Sequence, residues 1–288
     1  MVTVVAAASL ILSACSIPVA LSQTRSVLGG GYLQIHFSVG VTAPGVAAAK
    51  DAKFLQGLTF SIDTQTPPGA PFNSALSHAG QKLTIWRGAT HLATLIDLKS
   101  NLFLRLNFTA LAQVPGVRLS ASEIAAGNLF LGGRWIEIPD SLVVKFASPA
   151  LRLKLKKNSL VSGEYRTLND LVSVLARGPV TTTATGYSET GTLASLGTAL
   201  SGVASSSGPD PLPSKLKGSY SLSVTKTGTQ PSSFNFSVTV PRGTLGAVTT
   251  RVAGTIAHRR VQVKAPDNPL VITSTLLRQL GALAGNVG

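Results

Sequence analysis

The chain is 288 residues long, is 44% hydrophobic but only 12% charged, and sets 25 Lys plus Arg against 11 Asp plus Glu for a net charge of +14. That apolar content is ample for a sizeable core, and a single cysteine excludes an intrachain disulfide. Scarce charge, 6% aromatics, 28 Gly and 16 Pro favour strands and turns over long charged helices.

The chain opens on an apolar run from Val2 to Ala14 that ends at the lone cysteine, Cys15. The run is too short to span a bilayer, which takes about 20 apolar residues. It fits the apolar core of a signal peptide, about 7–15 residues long, although the first basic residue is Arg25. Leu12-Ser13-Ala14-Cys15 resembles the bacterial lipobox, where the thiol receives a diacylglycerol and the peptide is cut before the cysteine. The competing reading is a buried cysteine at the end of an apolar strand, acting as a small hydrophobe. The lipobox reading divides the chain into a signal peptide over 1–14, a lipidated tether over 15–31 and one domain over 32–288. It places that domain on the outer face of the cytoplasmic membrane or in the cell envelope. Two or three acyl chains anchor stably there, whereas one does so only marginally.

Alternation begins after Gly29-Gly30-Gly31: Leu33, Ile35, Phe37, Val39 and Val41 are apolar, with polar or small residues between them, as in a strand with one buried face. The spacing of Ala47, Ala48, Ala52 and Leu55 predicts a short helix over 46–57. Leu58, Phe60 and Ile62 start a strand that Pro67-Pro68-Gly69 stops. Strands follow at Leu83 to Trp86, His91 to Leu98 and Leu102 to Leu106, the last two joined by a hairpin-like link at Lys99-Ser100-Asn101. Thr109 to Val114 reads as one or two helical turns. Ser120, with Glu123 three residues on, caps a second helix. Arg134 to Pro139 is a short strand.

Leu168 to Ala176 and Thr192 to Val203 have helical spacing, and Ala204 to Ser214 is a surface loop. Strands then return. Tyr220, Leu222 and Val224 form one strand face; Phe234, Phe236, Val238 and Val240 form another. Arg251 to Ile256 and Arg260 to Pro266 complete the series. Asn268 caps a last helix from Leu270 to about Ala284, with Pro269 at its first position. Antiparallel strands with one apolar face need a cover, and too few helices are available for a doubly wound fold. The expected class is α+β: a strongly curved antiparallel sheet, or half-barrel, closed by a few helices around an apolar cavity, where a lipid would bind.

No catalytic set emerges, and the chain reads as a non-enzyme. His36, His78, His91 and His258 lack metal-ligand spacing, and the acidic residues are isolated, so neither a metal nor a cofactor is expected. Gly186 to Gly191 is one residue too long for a nucleophile elbow. Ser223-Val224-Thr225-Lys226 and Lys226-Thr227-Gly228 match motifs of penicillin-binding proteins, but they overlap on an apparent strand that turns at Gly228, and read as a hairpin. Asn107-Phe108-Thr109 and Asn235-Phe236-Ser237 match glycosylation sequons by chance. The basic residues are scattered apart from Arg152-Leu153-Lys154-Leu155-Lys156-Lys157 and His258-Arg259-Arg260. An exported chain meets anionic head groups before it meets DNA, so lipid or wall polymer, not nucleic acid, is the expected partner. Arg152, Lys154, Lys156, Arg259 and Arg260 are the head-group candidates; the plainer reading makes them a solvated strand face and a turn.

Asn101 to Phe108 resembles the "lYlRvd" strand of LppX/LprG-like actinobacterial lipoproteins. Leu111-Ala112 and Gly133 to Ile138 resemble that family's short helix and "G-x-W-v-x-v" strand. Val261 to Pro266 resembles the closing strand shared with LolA-type lipoprotein carriers. The resemblance implies an antiparallel half-barrel with a lipid cavity, and work in binding or moving lipids or lipoglycans at the envelope. Its lining candidates are Leu33, Ile35, Phe37, Val39, Phe60, Ile62, Leu102, Leu104, Leu106, Trp135, Phe234 and Phe236. The alternative is a surface module with a filled core that holds an anionic wall polymer or a protein partner. Such a core would account for each Trp and Phe as packing.

Overall fold

Alternating apolar residues place most of the described residues in strands, and in the computed structural model those strands join one open sheet. The structure describes residues 32–42, 53–65, 80–98, 101–139, 142, 180–195, 217–228, 230–241, 246–257, 259–273 and 275. The strands are β1 (Tyr32–Thr42), β2 (Leu58–Gln65), β3 (Gly80–Arg87), β4 (Thr90–Leu98), β5 (Asn101–Leu106), β6 (Ile136–Pro139), β7 (Val180–Thr183), β8 (Gly186–Thr192), β9 (Ser219–Thr227), β10 (Gln230–Pro241), β11 (Ala247–Ala257) and β12 (Leu270–Val271). Two helices lie between β5 and β6: α1 (Phe108–Ala112) and α2 (Ala121–Leu131).

The spatial order is β12-β6-β5-β4-β3-β2-β1-β11-β10-β9-β8-β7. Two meanders, β1 to β6 and β7 to β11, meet where β1 pairs antiparallel with β11. The sole parallel pair among the described strands is β12 with β6. The sheet does not close into a barrel: β12 and β7 stand at opposite ends.

Most of the expected strands form where the alternation places them. The β9–β10 hairpin turns at Gly228, whose φ of 64° suits glycine. Pro231 is tolerated in β10 because the register skips a residue between Lys226–Pro231 and Thr225–Ser233. A second bulge skips Leu92 between Ile85–Ala93 and Trp86–His91, and Leu92 is buried in the main core. In α2 the expected cap is present: the Glu123 amide donates to Ser120 Oγ at 3.2 Å, and the Ser120 amide donates to the Glu123 carboxylate at 2.7 Å. The Ser120 amide, and then the Ser120 hydroxyl, which donates to the same carboxylate oxygen at 2.7 Å, hold the Glu123 carboxyl below its ordinary range.

Three expectations are corrected. The β7–β8 hairpin falls in a stretch that the alternation did not assign to strands. The 259–269 segment pairs in no strand; it is irregular, and Val263 is buried against Ile96 and Phe103. Asn268 does not cap a helix at Leu270: it takes a left-handed φ of 49°, and Leu270–Val271 pair with β6. Of the helix expected over 46–57, a single turn at 53–55 is described, and Gly57 ends it at φ 76°. After β8 a turn at 193–195 begins the helix expected over 192–203, whose remainder lies outside the described residues. The helix expected over 168–176 lies outside them, and so does most of the one expected over 270–284, whose first two residues are β12.

Candidate functional site

Register places the apolar residues in continuous rungs across one face of the sheet. Ile256, Ile35, Ile62, Leu83, Leu95, Leu104 and Ile136 stand side by side from β11 to β6. A second rung runs from β8 to β5 through Tyr187, Val224, Phe234, Gly254, Phe37, Phe60, Ile85, Ala93 and Leu106. Within it the Phe37 and Phe60 rings stack with centroids 4.9 Å apart and 11° between planes. Gly254 leaves room for them: a Cβ there would lie 2.7 Å from Phe37 Cβ and 2.9 Å from Phe234 Cε1, and would strike the His36 carbonyl. One buried cluster follows this face, with Leu55, Ala110, Val114 and Leu193 laid on it from the helical turns and the loop after α1.

Ile35, Phe37, Val39, Phe60 and Phe234 are buried in that cluster, and Ile62 and Phe236 pack on it partly exposed. Leu104 and Leu106 share the face through the two rungs, and Leu102 does so opposite Ile138; all three are half-buried. Leu33 is placed by register alone, opposite Thr64. Trp135 is the correction. It packs with Ile96, Phe103, Leu98 and Val263, and Ile96 and Phe103 alternate away from Leu95 and Leu104, so Trp135 covers the other side of the sheet.

Arg259 and Arg260 are exposed beyond the end of β11. Arg152, Lys154, Lys156 and Cys15 lie outside the described residues.

Away from the Trp135 cluster, the other side of the sheet is polar. Gln34 Nε2 donates to Asp63 Oδ1 at 2.7 Å, and Lys82 pairs with Asp63 at 3.6 Å. Towards β8–β11 it carries hydroxyls, with Ser221 bonded to Ser237 at 2.8 Å and Thr239 to Thr249 at 3.0 Å. Ser223 is exposed on this side, whereas Lys226 alternates to the apolar side, its Nζ 3.7 Å from the centre of the Tyr187 ring. The Ser-x-x-Lys pair is therefore split between the two faces. Asn107 of the first sequon is committed to the fold: its side chain caps α1 and donates to the His91 carbonyl at 3.2 Å.

One charged residue is fully buried on the apolar face among the described residues, and the alternation did not single it out. In the rung Glu189, Leu222, Phe236, Val252, Val39, the Glu189 side chain is 3% exposed. Tyr220 Oη donates to Glu189 Oε1 at 2.5 Å, and Oε2 has no partner. Burial pushes the Glu189 carboxyl above its ordinary range and the Tyr220 bond opposes that only in part; burial first, then Glu189, pushes the Tyr220 hydroxyl up. The available signal was positional: Glu189 stands two residues after Tyr187, on the buried phase of a Thr- and Ser-rich stretch.

No family model matches this chain, and no curated protein is similar to it. Among the described residues no helix is long and apolar enough to cross a membrane.

Proposed function

We propose that this chain is an envelope lipoprotein, anchored through an acylated Cys15, that takes the acyl chains of a lipid or lipoglycan onto the apolar face of its sheet. In this reading the sheet bends into a half-barrel and the helices close one side of a cavity. The observation that carries it is the second rung, apolar or glycine at every position from β8 to β5. Among the described residues the helical cover laid on that face is a turn at 53–55, α1 with the loop after it, a turn at 193–195 and, over Ile136 at the β6 end, Leu131 of α2 with Leu142. The half-buried Leu102, Leu104 and Leu106 extend the apolar surface towards β6.

Burial contributes about 0.8 kcal/mol per methylene. A sixteen-carbon chain then gains on the order of 11 kcal/mol before the cost of ordering it is subtracted. Arg259 and Arg260 would steer an anionic head group, an effect that weakens with salt. The lipid would be carried or displayed, not chemically altered.

The test uses the full-length chain with Cys15→Ser, which removes the acylation site. Mass spectrometry of its organic extract is expected to show lipid in stoichiometric amount, and N-phenyl-1-naphthylamine is expected to fluoresce on the stripped protein. A clean extract together with no dye binding overturns the proposal. The surface-module reading draws on the hydroxyl-bearing face of β8–β11 and gains ground if that clean protein retains salt-sensitive binding to an anionic wall polymer.

A further inference from the structure

A buried polar atom without a partner costs free energy, and folded chains keep few of them. Glu189 Oε2 is such an atom, and it sits in a rung otherwise filled by Leu222, Phe236, Val252 and Val39. Its neighbours offer no second donor. Leu222 is opposite it on β9, Phe236 lies one strand further, and the Tyr220 ring covers Gly191, where a Cβ would fall 2.7 Å from the ring. The Tyr220 hydroxyl is already spent on Oε1. Two apolar side chains in place of Glu189 and Tyr220 would fill this corner without an orphaned oxygen.

We infer that Glu189, held by Tyr220, is the polar anchor of the apolar face and hydrogen-bonds a free hydroxyl carried by the lipid that lies there. The inference rests on the lipid-binding reading above. A hydroxyl fits because it both donates and accepts, so it satisfies Oε2 whether the carboxyl is ionised or protonated. An ester carbonyl only accepts. An ammonium only donates and would bring a second full charge into an apolar corner, where desolvation offsets most of the attraction. The ligand class is therefore an acyl chain with a neutral hydroxyl-bearing head, such as a monoacylglycerol.

The experiment measures displacement of N-phenyl-1-naphthylamine from the full-length Cys15→Ser chain by monolaurin and by methyl laurate. These share a chain and differ in the free hydroxyls. The ratio of their affinities is then compared with that of Glu189→Leu/Tyr220→Phe, which removes both polar partners and leaves no orphan behind. The ratio is expected to fall about tenfold in the double variant, the equivalent of one buried hydrogen bond. Methyl laurate is expected to bind both proteins alike, and the double variant to melt no lower than the parent.

An unchanged ratio with both lipids bound overturns the anchor while leaving lipid binding intact. Failure of both lipids to displace the dye, or of the dye to bind, overturns the lipid reading and the anchor with it. Should the double variant melt well below the parent, Glu189→Met/Tyr220→Phe supplies the comparison, since an unbranched thioether fills the corner with neither a strong donor nor a strong acceptor. A ratio unmoved in Glu189→Met/Tyr220→Phe refutes the anchor equally.

Discussion

Gly254→Ala, paired with Gly40→Ala, tests whether the two meanders meet in the register described. Gly254 lies in β11 between Phe37 and Phe234, and an added Cβ would sit 2.7 Å from Phe37 Cβ and 2.9 Å from Phe234 Cε1 besides meeting the His36 carbonyl. The two side chains could yield by changing rotamer, but the carbonyl belongs to the paired strand, so β1 and β11 would have to separate locally. Overpacking of this kind costs about 1–3 kcal/mol. Removing a glycine from a strand returns about 0.5–1 kcal/mol by restricting the unfolded chain. The net expectation is a loss of about 1–2 kcal/mol.

Gly40 is also on the β1–β11 seam, opposite Arg251, but a Cβ there would meet nothing within 4 Å. Gly40→Ala keeps the entropic gain alone and should be neutral or stabilising by up to about 1 kcal/mol. Urea unfolding of the two variants against the parent, with equal m-values, reads the difference directly. If Gly254→Ala is as stable as Gly40→Ala, the seam is not packed as described and the long apolar rung loses its middle.

Other expectations follow from single contacts. Phe37→Ala empties the stacked pair with Phe60 and should cost about 3–5 kcal/mol by denaturant unfolding. Ser120→Ala removes the α2 cap and should cost about 1 kcal/mol, with hydrogen exchange accelerated in the first turn of α2 and unchanged in β1. Because burial raises the Glu189 carboxyl in the folded state, the folded chain binds the proton more tightly than the unfolded one. Stability is thus expected to fall as pH rises from the ordinary glutamate value of 4.5 through the raised one. Glu189→Gln should lose that component of a stability-against-pH curve. His91 is shifted the other way, downward, chiefly by burial and then by Arg105. Its contribution should therefore be lost as pH falls from the ordinary histidine value of 6.5 through the lowered one, and His91→Gln should flatten that part of the curve.

Alternation was readable where the buried phase is filled by large apolar residues. In β1 it is Ile35, Phe37 and Val39, and in β10 it is Phe234, Phe236 and Val238, and both strands lie where those residues place them. The α2 start was readable because Ser120 and Glu123 supply its first bonds locally, without help from the rest of the chain. The β7–β8 hairpin was not, because its buried phase holds Tyr187, Glu189 and Gly191, which carry one aromatic, one charge and no side chain. Their burial depends on neighbours far along the chain, Tyr220 above all.

The 260–266 stretch shows the converse error. Val263 does alternate and is buried, but alternation reports a buried side and not a hydrogen-bonded neighbour. Here the Val263 amide donates to Gln65 Oε1 at 3.0 Å instead of to a strand. Trp135 was assigned to the wrong side because its aromatic character was read ahead of its phase: it is next to Ile136 on the apolar face, so alternation turns it to the other side.

The two ends of the sheet, β12 and β7, bond to different neighbours and not to each other. In a closed barrel the number of strands and their stagger dictate the girth. An unclosed ribbon has no such constraint, because a few degrees of added twist at each junction change the span between its rims while every ladder bond stays in place. Under the lipid-binding proposal, ligands of different bulk would be met by bending the ribbon, with no need for a hinge.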